Sequence, residues 1–234
     1  MKLTIDRRIC ERYPGVLLGV AVARGVDNRR EDGTIVGRLR AEEARVRREL
    51  AGVELAAHPR VAPWREAYRA FGASPKKSPS SIENLLRRAL KGEEVRHVNS
   101  LVDIYNAISL CHLLPAGGED LERVEGDVRL TFAGEGEAPV QLLGEAEARP
   151  PHPGEVVYRD AAGILCRRWN WKEADRTKLT AETRDALLVL EALPPAGRDD
   201  LERALSDLAG RIESCCGAQL TTEILSAERP EIEI

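Results

Sequence analysis

No apolar run in these 234 residues approaches the roughly 18 that a membrane-spanning helix needs. The opening stretch, MKLTIDRRICERYPG, lacks the apolar centre and small-residue cleavage site of a signal peptide, so a cytoplasmic location without membrane contact is expected. The five cysteines (Cys10, Cys111, Cys166, Cys215, Cys216) form no C-x-x-C pair, and an odd number argues against a disulfide framework. Four scattered histidines, His58, His97, His112 and His152, show no H-x-x-x-H or H-E-x-x-H spacing, so no metal site is expected. G-x-S-x-G, Walker and G-x-G-x-x-G elements are missing from any strand-to-helix turn, which leaves serine hydrolase and nucleotide-binding readings without a motif and gives no reason to expect a cofactor. Excess positive charge is missing too: the net charge of −4 does not suit a protein that coats nucleic acid non-specifically.

What is present is ordinary for a globular protein: 43% hydrophobic and 32% charged residues, in a chain long enough to bury a sizeable core as one unit over 1–234. VLLGVAVARGV (16–26) reads as a buried strand, and LRAEEARVRREL (39–50) places Leu39, Val46 and Leu50 on one helical face. A second helix is expected over Pro63–Phe71. In SPSSIENLLRRALKG, Ser80 and Glu83 form a capping box, Ile82, Leu85, Leu86, Ala89 and Leu90 an apolar stripe, and Gly92 a stop. A helix over 98–113 is followed by short runs that read as strands, at Val128–Phe132, Val140–Leu143, Glu155–Tyr158, Ile164–Trp171 and Leu187–Leu193. A helix near 199–215 and a strand near 219–225 complete an α+β layout, a mixed or antiparallel sheet packed with helices. The Pro/Gly-rich stretches near 115–118, 134–139, 150–154 and 194–197 read as loops.

The helix at NSLVDIYNAISL raises a question, because Asn99, Asp103 and Asn106 stand on one side of an otherwise apolar cylinder. Buried amides and carboxylates are costly unless hydrogen-bonded, so the stripe either ties backbone together or faces a ligand. In CRRWNWKEADRTKLT a continuous strand would put Cys166, Arg168 and Asn170 on one face and Arg167, Trp169 and Trp171 on the other. Two tryptophans beside arginine suit stacking on a base, or simply a core; Thr177 just beyond either binds a ligand or holds a turn. Glu191 shares its strand face with Leu187, Val189 and Leu193, and is either a perturbed pocket carboxylate or a group in water. Cys111 and His112, neighbours on a helix, should point apart and form no dyad. Basic groups at Arg29/Arg30, Arg45/Arg47/Arg48, Lys76/Lys77, Arg87/Arg88/Lys91 and Arg167/Arg168 either contact phosphate or solvate helix faces.

The order of SPSSIENLLRRALKGEEVRHVNSLVDIYNAISL, EDLERVEGDVRL, Gly136–Glu137 and NWKEADRTKLTAETRDALLVLEAL resembles the editing domain of the phenylalanyl-tRNA synthetase beta chain, best over about 74–193. The resemblance implies a freestanding domain that binds the aminoacylated 3′ end of tRNA and hydrolyses the ester when the amino acid is wrong, with tRNA and an aminoacyl-tRNA synthetase as partners. It implies catalytic positions at Asn106, which matches a pocket asparagine, and Glu191, which falls near a pocket glutamate that engages the polar group of the wrong amino acid. Asp103 matches the aspartate of the same motif, a structural hydrogen-bonding residue. The family's pocket histidine falls at about Gly117, so proton transfer would pass to the ribose hydroxyl or an ordered water. Trp169, Asn170, Trp171 and Thr177 join Asp103 and Gly117 as expected substrate contacts, and Arg87, Arg88, Arg167, Arg168 and Lys172 as expected tRNA phosphate contacts. A non-catalytic RNA-binding module and a binder of a free amino acid derivative are the other readings.

Overall fold

The computed structural model describes residues 1–29 and 33–234, so Arg30 lies outside the described residues. In chain order the elements are β1 (Lys2–Ile5), α1 (Arg7–Arg12), β2 (Leu17–Arg24), α2 (Gly33–Glu49), α3 (Ala62–Ala70), α4 (Ser81–Lys91), α5 (Ser100–His112) and β3 (Ala116–Asp120). They continue with β4 (Val128–Phe132), β5 (Val156–Arg159), β6 (Ile164–Arg167), β7 (Lys172–Glu173), β8 (Ala186–Ala192), α6 (Arg198–Cys216), β9 (Gln219–Leu225) and β10 (Glu231–Glu233). The fold is α+β, with two sheets packed against helices. One is six-stranded, β10-β1-β4-β5-β6-β7, and mixed through the parallel β1–β4 pair; the other is four-stranded and antiparallel, β3-β8-β2-β9. Among the described residues no helix is long and apolar enough to cross a membrane.

Strand β8 explains how the layers join. Its alternate residues Leu187 and Val189 enter a core shared with Leu130, Tyr158 and Leu165 of the six-stranded sheet, while Leu188 and Leu190 pack with Leu201, Leu205 and Leu208 of α6. The four-stranded sheet is thus covered on both faces, which is why β2 and β8 read as nearly continuous apolar runs. Close approach of α6 also accounts for Gly19, where a Cβ would lie 2.9 Å from Leu201 Cγ.

Several expectations need correction. Residues 115–118 are not simply a loop, because Ala116–Asp120 pairs antiparallel with β8 as an edge strand. Its glycines are there for proximity: a Cβ on Gly118 would meet Leu188 Cδ2 at 2.4 Å and Leu187 O at 3.1 Å. Val140–Leu143 makes only isolated bridges, Val140 to Arg149 and Leu142 to Ala174. The strand expected over 164–171 stops at Arg167, because Arg168 and Trp169 take left-handed backbone (φ 50° and 67°) and turn the chain into β7. Two residues of positive φ reverse the direction that a face-alternation argument assumes. The capping box of α4 is half made: Ser80 accepts the Glu83 N–H at 3.4 Å, but the Glu83 carboxylate turns to Arg65 at 2.5 Å and Arg87 at 2.6 Å. Gly92 stops the helix in left-handed conformation as expected.

Candidate functional site

A cavity of about 240 Å³ opens between the two sheets where α4 and α5 cover their junction. Strands β3 and β8 supply one wall through Gly117, Glu119, Leu187, Val189 and Glu191. The opposite wall comes from Tyr158 of β5, Leu165 and Cys166 of β6, and the turn residues Trp169, Asn170 and Trp171. Asn84 of α4 with Tyr105 and Asn106 of α5 close the top.

The polar stripe of α5 divides into three jobs. Asn99 caps the helix, its side-chain oxygen accepting the Val102 N–H at 3.0 Å while its amide donates to Leu179 O at 3.1 Å. Asp103 is fully buried and meets His97 Nδ1 at 2.5 Å, with the Val98 N–H at 3.5 Å; it lies outside the cavity, so the expected substrate contact is corrected to a brace of the chain entering α5. Asn106 alone faces the cavity, and among the described residues its amide takes part in no hydrogen bond. The sequence question therefore has both of its answers on one helix.

Glu191 is not in water. It is 3% exposed, it accepts the Tyr158 hydroxyl at 2.5 Å on one oxygen and the Asn170 amide on the other, and Asn170 in turn accepts the Tyr68 hydroxyl at 2.8 Å. Burial pushes its pKa up to about 7, against the opposing pull of those donors. The Trp169 indole N–H lies close enough to assist but has no hydrogen bond of its own. A carboxyl group with that pKa can both take and release a proton near neutrality. Cys166 also lines the cavity, but burial holds its thiol well above the ordinary range, which leaves it protonated and a poor nucleophile.

The tryptophans part company. Trp169 is fully buried against Tyr13 and Trp64, with ring centroids 4.9 and 5.1 Å away, so it forms floor and core at once. Trp171 carries the Arg168 guanidinium 4.3 Å above its ring at the cavity edge. The single shared face inferred from strand alternation is thereby corrected. Thr177 is fully buried outside the cavity and gives its carbonyl to the Asp120 N–H at 2.8 Å, the turn-holding alternative.

Most expected phosphate contacts are engaged elsewhere. Arg167 is 4% exposed and locked to Glu155 by two hydrogen bonds of 2.9 Å, so it cannot reach a tRNA backbone. Arg87 pairs with Glu83, Arg88 donates to Glu94 O, Arg168 reaches Ser78, and Lys172 pairs with Glu145. Arg45 and Arg47 bond helix carbonyls, of Leu110 and Cys111 at the end of α5 and of Ala89 in α4. Lys76 and Lys77, by contrast, are exposed and make no ion pair among the described residues, on the segment that leads into α4.

Three groups escaped the sequence reading. Glu119 and Glu173 face the cavity, and Gly117 marks where they meet: a Cβ there would lie 2.9 Å from Glu173 Oε1, so the glutamate occupies the space a side chain at 117 would need. The signal for Glu119 was its alternation with Gly117, had 116–120 been read as a strand. Outside the cavity, Cys111, His112 and Asp207 bring three ligand-type atoms within 4.8 Å of one another, with His112 Nε2 2.7 Å from Asp207 Oδ2. Cys111 and His112, both within α5, make no hydrogen bond to each other among the described residues, so they form no dyad.

Fold and cavity together define an α+β domain with a carboxylate-lined pocket between two sheets. Residues 63–217, about two thirds of the chain, match the B3/4 domain, and the chain belongs to that family. Every cavity residue named above falls within the matched span. No curated protein matches the chain. Among solved structures it is similar to the crystal structure of an N-terminal fragment of the phenylalanyl-tRNA synthetase beta-subunit from Pyrococcus horikoshii, at 10% identity over 93% of this chain and 49% of that one, with a TM-score of 0.49. The chain thus spans about half the length of that fragment.

Proposed function

We propose that this B3/4 domain receives the aminoacylated 3′ end of a mischarged tRNA and hydrolyses its ester. The observation that carries the reading is the unpartnered amide of Asn106 facing the cavity that also holds Glu191 at a pKa of about 7. An aminoacyl ester is already activated, so hydrolysis needs a positioned water and a donor for the oxyanion, with no nucleophilic side chain. Water oxygen bonds to the ester carbonyl carbon, the carbon–oxygen bond to the ribose breaks, and the ribose oxygen leaves with a proton; the products are a free amino acid and tRNA. Asn106 donates its N–H to the developing oxyanion. Glu191 accepts the proton from the attacking water, the role that the absence of a side chain at Gly117 leaves open.

At about 240 Å³ the cavity is smaller than typical drug-sized pockets, which start near 300 Å³, so the aminoacyl group is the part that enters and the terminal adenosine stays at the mouth. Lys76 and Lys77, like Lys91, have free charge to offer a phosphate. The test is release of free amino acid when the 234-residue chain is incubated with a panel of mischarged and correctly charged tRNAs. Loss of the ester from one mischarged species above the spontaneous rate supports the reading. A second reading, tRNA binding without chemistry, is favoured by glycine standing where the resemblance puts a histidine; it predicts retained tRNA binding with every ester intact.

A further inference from the structure

Three carboxylates converge on the cavity from three strands: Glu119 of β3, Glu173 of β7 and Glu191 of β8. Glu191 is satisfied by Tyr158 and Asn170. Glu173 accepts the Gly118 N–H at 3.2 Å and keeps partial solvent access. Glu119 differs from both, being 8% exposed on the same strand face as Gly117, with its Oε2 buried and without a hydrogen-bond partner. Thr177 Oγ1 lies beside it, near enough to favour the ionised form, but makes no hydrogen bond that meets distance and angle limits. A buried carboxylate oxygen on a cavity-lining residue, with no hydrogen bond of its own, is a vacancy for a donor.

Among the described residues no neighbouring cation fills it. Lys172 pairs outward with Glu145, and Arg176 with Asp160 at 2.7 Å. The titratable groups facing the pair from neighbouring elements, Tyr105 of α5, Tyr158 of β5 and Cys166 of β6, are held neutral by burial. Burial also raises both glutamates, and Glu173 raises Glu119 further, as expected of like charges forced together. An entering cation would relieve that repulsion and favour the ionised form of both groups.

We propose that Glu119 and Glu173 form a seat for a positively charged amine of the ligand. The proposal rests on the deacylase reading and assigns a subsite within it: the pair binds an ammonium group that the aminoacyl ester brings into the cavity, carried by its α-carbon or by its side chain. An ammonium offers three donors, enough to bond Glu119 Oε2 and the Glu173 carboxylate together.

Four matched amides separate the sources. Lysinamide carries both amines, norleucinamide the α-amine alone, 6-aminohexanamide the side-chain amine alone, and hexanamide neither. Calorimetric titration of the intact chain at neutral pH should show lysinamide binding at least about tenfold tighter than hexanamide. An α-ammonium seat extends that gain to norleucinamide; a side-chain seat extends it to 6-aminohexanamide. The heat should depend on the ionisation enthalpy of the buffer in the sense of proton release. A Glu119→Gln, Glu173→Gln double variant that keeps the wild-type melting temperature should lose the preference for amines. Equal binding of hexanamide and lysinamide, no binding of any probe at millimolar concentration, or an amine preference that survives in the folded double variant overturns the proposal. Should the variant fail to fold, the wild-type series in two buffers decides alone, with absence of amine preference or of proton release counting against the seat. No probe contains an ester or RNA, so failure here and failure of the deacylation panel are separately visible.

Discussion

Asn106 and Glu191 pose opposite problems to the fold, one an amide with nothing to bond and the other a carboxyl group with two donors and no water. Truncating Asn106 to Ala removes no internal hydrogen bond, so the melting temperature should change little. Deacylation should fall by about 10²–10³, the usual loss for one oxyanion donor. An equal loss of stability and activity in parallel melting and hydrolysis assays would return Asn106 to a structural role. For Glu191 the folded pKa of about 7 lies above the ordinary 4.5, so between those values the folded chain holds a proton that the unfolded chain has released. Its contribution to stability is therefore full below about pH 4.5 and lost as pH rises through about 7, on the order of 3 kcal/mol in all. Urea unfolding of the wild type should show this decline over that window, and Glu191→Gln should make it shallower, leaving the part that the raised pKa values of Glu119 and Glu173 contribute. At this scale the sequence was informative about Glu191, since a carboxylate among Leu187, Val189 and Leu193 is an anomaly visible in any strand. It was silent on Glu119 and Glu173, which become neighbours only when β3 and the β6–β7 turn come together.

Among the elements, the legible ones were those whose pattern is local. Helix α4 shows its apolar stripe, its serine cap and its terminal glycine within fifteen residues, and β4 and β9 follow the expected bounds. Strand β3 was hidden because two adjacent glycines read as a turn, whereas Gly118 is placed there by the neighbouring Leu188 side chain and Leu187 carbonyl and Gly117 by the Glu173 carboxylate. Replacing Gly118 by Ala should overpack that contact and cost about 1–3 kcal/mol in chemical denaturation; a change near zero would mean the strand shifts freely. The turn at Arg168–Trp169 was hidden for another reason: positive φ at two bulky residues has no signature in composition and is held by tertiary contacts, Trp169 among Tyr13 and Trp64 and Arg168 over Trp171. Arg167 belongs to this scale as well. Its pairing with Glu155 is buried, so Arg167→Ala should destabilise by about 3–5 kcal/mol. A variant that stays folded and loses only tRNA affinity would restore the phosphate contact that the sequence suggested.

For the molecule as a whole, an acidic chain with most of its arginines committed to carboxylates and helix carbonyls should hold tRNA weakly and with few phosphate contacts. Charge reversal of Lys76 and Lys77 should weaken binding and reduce the salt slope of log K by about 2, roughly one per lysine removed. The two-sheet arrangement was legible only as a class, because β1 pairs with β10 at the opposite end of the chain and, in parallel, with β4 at its middle. That arrangement is nevertheless what makes the cavity, by bringing β8 and β5 together so that Tyr158 reaches Glu191. The most direct measurement is single-turnover hydrolysis of a mischarged tRNA panel by the wild type and the Asn106→Ala variant, followed as free amino acid released over time. The account predicts rapid release from at least one mischarged tRNA by the wild type, slowed by about 10²–10³ in the variant. Esters that outlast the wild-type protein as long as they outlast buffer, across the whole panel, would contradict it.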